Sequence, residues 1–327
     1  MNDRIHRPRA LIIVTALLLD LILGDPPNRF HPVAWIGSFI GAAQRHAPCR
    51  SASDAPDRGR LPRLAYGGLI AVGGVLGTFG LARVAQRMTT WLPAPLGLLL
   101  ESALLKTSFS VHRLGKVSRQ IETALASGNV PKARRLVSWH LVSRDTSRLT
   151  PDQVAAATIE SVAESASDGI MAPLLAYSVF GLPGAMVYRF SNTADSMLGY
   201  RDAAREWLGK VPARLDDALN LVPARFTALL LIVGSALVGE NAWNAFRVWL
   251  RDNGKTTSPN AGHPMSAMAG ALEVELEKVG RYRLGEGQRS PSTADIGSAA
   301  RVVYAAVALG TALLVGLSLL VGGGRRD

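Results

Sequence analysis

Cysteine, paired histidines and internal repeats are scarce or absent in this sequence, and each absence removes a class of function. Cys49, in a polar stretch, is the one cysteine among 327 residues. That leaves no disulfide framework and no cysteine-based metal site, which suits a cytosol-facing protein. His31, His112, His140 and His263 are dispersed, with no i,i+4 pair to hold zinc. No G-x-S-x-G elbow marks a serine nucleophile. Gly254-Lys255-Thr256 looks like the end of a phosphate loop, but Trp249 stands where the pattern needs its first Gly and no strand-like run precedes it. A nucleotide bound here is not held by a P-loop. The basic N-terminus leads into an apolar run, yet Leu23-Gly24-Asp25 offers no A-x-A cleavage site, so a retained short helix is expected. The 36 Lys and Arg give a net charge of +11 without forming one stripe, so nucleic acid is not the expected partner.

What is present is apolar sequence in blocks. Hydrophobic residues make up 48% and the mean hydropathy is +0.17, at the edge between soluble and membrane proteins. Leu64–Ala82 and Val302–Gly324 are uncharged for 19 and 23 residues, and spanning a bilayer takes ~20. The basic residues fit loops that flank such spans. Met88–Leu100, uncharged for 13 residues with Pro93 and Pro95, and Phe226–Gly239, uncharged for 14, are too short to span alone. In 169–188, Pro173, Gly181, Pro183 and Gly184 predict a broken or re-entrant helix, a form tolerated where it lines protein. The expected fold is therefore all-α: a polytopic integral membrane protein with short, partly broken transmembrane helices. It reads as a single membrane-embedded domain over 1–327. An amphipathic section over 106–168 lies mainly outside the membrane, and 302–324 forms a C-terminal transmembrane helix.

Local signals place the elements between the spans. Leu114, Val117, Ile121 and Leu125 recur at helical spacing, Ser127-Gly128-Asn129 ends that helix, and Pro131 opens the next. Thr150-Pro151-Asp152-Gln153 is a capping box, opening a helix that runs to about Asp168. A small-residue helix is expected from Ser266 to about Lys278. Asp20 interrupts the apolar N-terminal helix, and an ionisable residue there is a functional candidate.

Chemistry concentrates in Thr158–Tyr200. Glu160, Glu164 and Asp168 are spaced to share one helix face, where like charges repel unless a cation or basic partner is near. Mg²⁺ takes oxygen ligands of this kind. An apolar hairpin would return the chain to a second polar cluster, Arg189, Asn192, Asp195 and Tyr200. Asp25 and His31 sit in a rigid Gly-Pro-Pro turn. Arg214, Asp216 and Asp217 cluster ahead of Arg225, and Asn260 and His263 sit in another rigid turn.

Six blocks carry a resemblance: GDPPNRFHPVAWIG (24–37), SRDTSRL (143–149), TIESVAESASDGIMAPL (158–174), YRFSNTADSMLGY (188–200), ARLDDALNLVPAR (213–225) and PNAGHPMSAMAGAL (259–272). In this order they resemble the CobD/CbiB family, the adenosylcobinamide-phosphate synthases of cobalamin biosynthesis. Ser165 and Ala194 depart from it, standing where the family commonly has Asn and Leu. The resemblance implies a multi-pass enzyme of the cell membrane with its active site facing the cytoplasm. Such an enzyme joins a carboxylate of adenosylcobyric acid to the amine of (R)-1-amino-2-propanol phosphate, or a related amino alcohol. ATP and Mg²⁺ drive the ligation, with no bound prosthetic group. It further implies roles. Glu160, Glu164 and Asp168 would hold Mg²⁺, with Asp216 and Asp217 as a second group. Arg144, Arg214 and Arg225 would bind phosphate. His31 or His263 would accept the amine proton, with Asp25 beside them. Asp145, Asn192, Asp195, Tyr200 and Asn260 would position substrate. A membrane transporter of an anionic small molecule is the rival from another class, since broken helices and intramembrane charges suit transporters too.

Overall fold

The structure is a computed structural model that describes residues 9–48, 59–200, 202, 205–278 and 280–323. Cys49 lies outside them. In chain order the elements are α1 (Arg9–Leu23), α2 (Pro32–Arg45), α3 (Arg60–Thr89), α4 (Ala94–Lys106), α5 (Val111–Ala126), α6 (Val130–His140), α7 (Pro151–Ser165), α8 (Ala172–Leu198), α9 (Glu206–Leu237), α10 (Ala242–Asp252), α11 (Gly262–Ala271), the strands β1 (Leu276–Lys278) and β2 (Tyr282–Leu284), and α12 (Thr293–Gly323). A π-helical segment, Ala166–Met171, joins α7 to α8.

The protein is an all-α multi-pass membrane protein. Among the described residues, four helical segments are long and apolar enough to cross a bilayer: Arg60–Thr89, Pro151–Leu198, Glu206–Leu237 and Thr293–Leu320. One differs from expectation. Phe226–Gly239 is too short to span alone, but most of it is the last part of the 32-residue α9, which runs through Pro212 and Pro223 without a break. In α7, Val154 to Ala163 are buried without interruption.

The chain forms two compact units. The first comprises 1–109, 172–220 and 315–327. Its core packs Ile40 of α2 and Ile70 of α3 against Phe190, Ala194 and Leu198 of α8. At Gly74 of α3 only glycine fits, because a Cβ there would fall within the ring of Phe190. α8 is two helical halves, because Gly181 leaves the helical region (φ 69°, ψ −161°), a conformation open essentially to glycine. Pro183 then falls in the first turn of the second half, where its missing N–H costs nothing. The carbonyls left open at the end of the first half accept from Arg9, whose Nη1 lies 2.7 Å from Ser178 O and 3.1 Å from Val179 O. Buried Glu101 holds the same region. Gln86 Nε2 (2.8 Å) and the Tyr177 hydroxyl (2.9 Å) both donate to its Oε1.

The second unit comprises 110–171 and 221–314. α5 and α6 pair across the Ser127-Gly128-Asn129 break, as their pattern predicts, with Asn129 capping α6. The capping box on α7 is complete in both directions. α11 packs on α7 and on α10. The small-residue helix ends at Ala271, not near Lys278. Glu273 takes a left-handed conformation (φ 54°), and Leu276–Lys278 pairs antiparallel with Tyr282–Leu284. The alternation Val274, Glu275, Leu276, Glu277 is a strand signal, and Gly280 (φ 71°) lies in the turn between the strands.

Candidate functional site

In the second unit the site grows from α7. Glu160 is buried on the face of the helix that meets β1, and Glu164 and Asp168 are half-buried. Asp168 falls inside the π segment, whose wider turn takes it off the α-helical row of the two glutamates; π segments of this kind recur at functional sites. Arg144 Nη2 stands 3.9 Å from Glu160 Oε2. Arg144 Nε and Glu160 Oε1 are both buried without a hydrogen-bond partner, so each has capacity turned to the interior. The loop that presents Arg144 is stapled locally. Thr146 Oγ1 donates to Arg134 O (2.9 Å), and Arg134 Nε donates to Leu149 O (2.7 Å). Asp145 shapes this loop. It accepts from Ser147 N (2.8 Å) and Ser147 Oγ (3.0 Å), and these bonds hold its carboxyl below the usual range. Two residues that sequence reasoning missed come from the hairpin. Lys278 acts electrostatically on Glu160. The Tyr282 hydroxyl is pushed up first by burial, then by the Glu160 and Glu164 carboxylates. Only the β-pairing carries these two side chains to α7.

The Asn260–His263 turn belongs to the same unit. Arg225 Nη1 reaches Leu221 O (2.7 Å) and Asn260 Oδ1 (3.4 Å), and Asn260 is buried. The Trp249 indole N–H donates to His263 Nδ1 at 2.9 Å. Burial, and then the nearby Arg225 charge, lower the His263 pKa to about 4. The ring is therefore neutral at pH 7, and with Nδ1 accepting, its proton sits on Nε2. His263 thus presents an N–H donor, where the sequence reading expected a proton acceptor.

The first unit holds the other candidates. Asp216 is buried, and Asn220 Nδ2 donates to its Oδ2 at 2.9 Å. The Tyr188 hydroxyl in turn donates to Asn220 Oδ1 at 2.7 Å. Asp216 Oδ1 is buried without a hydrogen-bond partner, while Asp195, Asp217 and the Asn192 carboxamide act on the same carboxylate. Arg214 binds Asp217 at 3.3 Å with most of its side chain in solvent. Arg189 Nη1 donates to Asn192 Oδ1 (3.3 Å), and the Arg205 guanidinium lies 4.0 Å over the Tyr200 ring. Asp25 and His31 have local tasks. Lys106 Nζ lies 2.6 Å from Asp25 and 3.5 Å from the fully buried Asp20. His31 caps α2, its Nδ1 accepting from Val33 N at 3.3 Å. His31, like His263, thus engages Nδ1 as an acceptor.

Among the described residues, no three His, Cys, Asp or Glu are grouped so as to hold a metal ion. Mg²⁺ needs no such cage, since one or two carboxylates, phosphate oxygens and water complete its shell. The two acidic groups differ in what they fit. Glu160 is flanked by Arg144 and Lys278, so its surroundings already carry positive charge. Asp195 and Asp217 act on Asp216 as like charges, with Arg214 paired to Asp217 at the surface, and such repulsion favours a cation.

Comparison with known proteins agrees with the six blocks. The model of the CobD/Cbib protein family matches residues 13–309. The cobalamin biosynthesis protein CobD of Dehalococcoides mccartyi is 42% identical over 280 residues, covering 84% of this chain and 86% of the relative. The protein of that name from Citrobacter koseri is 36% identical, covering 94% of this chain and 97% of the relative. The cobalamin biosynthesis protein CbiB of Salmonella typhimurium is 35% identical, covering 92% and 94%. No solved structure matches. With a family model matched along nearly the whole chain and relatives of almost equal extent, the protein belongs to the CobD/CbiB family.

Proposed function

We propose that the protein acts in cobalamin biosynthesis as an adenosylcobinamide-phosphate synthase. In this reading it condenses adenosylcobyric acid with an amino-alcohol phosphate at the expense of ATP. The observation that carries the reading is the near full-length match to proteins named for cobalamin biosynthesis, with all six blocks in order. The chemistry of the two acidic groups supports it.

A carboxylate is a poor electrophile at neutral pH. Its oxygen attacks the terminal phosphorus of ATP, and ADP leaves. The amine then attacks the carbonyl carbon, and phosphate departs with that carboxylate oxygen. Arg144, beside the orphaned Glu160 oxygen, offers a planar fork for phosphate oxygens, and Lys278 adds a point charge. Glu164, half-buried on the same helix face, takes the proton lost by the amine. The His263 Nε2–H and Arg225 donate to negative charge on substrate. Asp216 and Asp195, in the first unit, are the carboxylates that would hold a divalent cation such as Mg²⁺, Asp216 Oδ1 first. When bound, such a cation would neutralise carboxylate and phosphate charge.

The test uses protein purified in detergent with adenosylcobyric acid, ATP, Mg²⁺ and aminopropanol phosphate, and looks by mass for the amide. Label from ¹⁸O in the substrate carboxylate should appear in phosphate; unlabelled phosphate would sink the phosphorylated intermediate. The broken α8 with buried Glu101 beside it favours a transporter as the second reading. No amide with any amino alcohol, together with uptake of an anion into proteoliposomes, would select it.

A further inference from the structure

α10 is too short to cross a bilayer: 11 residues give ~16 Å. Its two faces differ sharply. The inner face buries Ala245, Val248 and Asp252, and Asn244 Nδ2 donates to Gly270 O at 2.7 Å. The outer face carries Trp243, 68% exposed, and Leu250, 58% exposed. Phe246 lies between them at helical spacing, its ring stacked on Trp243 with centroids 6.0 Å apart. Arg247 and Arg251 flank this stripe and are exposed. Single exposed apolar residues are ordinary, but an aromatic pair and a leucine in register along one helix form a continuous strip.

What covers the strip follows from its place in the chain. The span over Glu206–Leu237 ends four residues before α10 begins. Gly239, with φ 82°, turns the chain between them, and Glu240 N returns to Ser235 O at 2.9 Å. α10 therefore starts at the level where a membrane helix leaves the hydrocarbon. Trp and Phe on one side with Arg at the edges is the composition of a helix that lies in that interface.

We propose that α10 lies along the bilayer surface, with Trp243, Phe246 and Leu250 sunk into the headgroup–acyl boundary and Arg247 and Arg251 against anionic phospholipid headgroups. Arg251 keeps its contact with Asp252 and half of its side chain in the open, so it has donors left for a phosphate. The arrangement depends on the spans, not on the proposed reaction. It differs from a helix standing on end. Leu250 lies seven residues beyond Trp243, which along an upright helix is ~10 Å further from the membrane.

The test is a spin-label depth measurement on the full chain in vesicles of phosphatidylethanolamine and phosphatidylglycerol. In a Cys49→Ser background, labels are placed at Trp243→Cys, Leu250→Cys and, as an aqueous control, Gly254→Cys, whose Cβ would meet open space. Collision with oxygen should exceed collision with a water-soluble nickel complex at both 243 and 250, with the reverse at 254. Oxygen preference at 243 alone would mean an upright helix and overturn the proposal. Protection of both positions from both reagents would mean a protein partner or a second copy, and would overturn it as well. Vesicles lacking phosphatidylglycerol should lower the oxygen preference at 250; an unchanged value there would remove the headgroup contact.

Discussion

His263 offers the sharpest quantitative test. Burial removes water, Arg225 adds a like charge, and Trp249 donates to Nδ1. Its pKa is about 4 in the folded protein, against an ordinary 6.5. Between those values the unfolded chain holds a proton on this ring that the folded chain does not. Stability therefore rises with pH through that window and is lost as pH falls through it. At ~1.36 kcal/mol per pH unit the whole window amounts to ~3.4 kcal/mol. Solvent screening at the ring edge reduces the expected effect to ~2 kcal/mol. The measurement compares unfolding free energies of wild type and His263→Gln in detergent at about pH 7 and about pH 4.5. Carboxylates titrate in both proteins, so the difference between the two profiles isolates the imidazole. The variant should lose ~1–2 kcal/mol less on acidification, and Trp249→Phe should fall between the two. Parallel profiles would refute the buried neutral ring, and with it the assignment of His263 as an N–H donor.

Other outcomes follow from single contacts. Lys106→Met leaves Asp20 and Asp25 without their shared ammonium and should cost ~3–5 kcal/mol of stability in detergent unfolding, much of it regained in Lys106→Met/Asp25→Asn; a loss under ~1 kcal/mol would mean the cluster is hydrated. Gly181→Ala forces a side chain into φ 69° with Gln86 Nε2 2.9 Å away, and should cost ~1–3 kcal/mol by the same assay. Glu160→Gln should lower amide formation by ~10² or more while the protein still fractionates with membranes; full turnover would remove Glu160 from the site. Asp216→Asn should raise the Mg²⁺ concentration for half-maximal activity by ~10-fold or more, and an unchanged requirement would move the metal to α7.

Much of the local structure was legible because its causes are local. The capping box at Thr150–Gln153, the break at Ser127–Asn129 and the discontinuity near Gly181 each follow from backbone chemistry within a few residues. The misread elements were decided by context. Phe226–Gly239 reads as short because Arg225 bounds the uncharged run, yet the helix continues on the N-terminal side of that charge. The chain after Ala271 reads as helix from its small residues, although the Val274–Leu276 alternation points to strand.

The sequence by itself determined the family, the apolar spans and the set of side chains able to do chemistry, since these depend on residue identity and spacing. Thr158–Tyr200 is dense in such groups, but spacing treats all its carboxylates alike. Only the tertiary structure separated them, because electrostatic environment is set by neighbours distant in sequence. Arg144 and Lys278 flank Glu160 with positive charge, whereas Asp195 and Asp217 act on Asp216 as like charges. A tautomer is likewise invisible in sequence: His263 became a donor because Trp249, 14 residues earlier, occupies its other nitrogen.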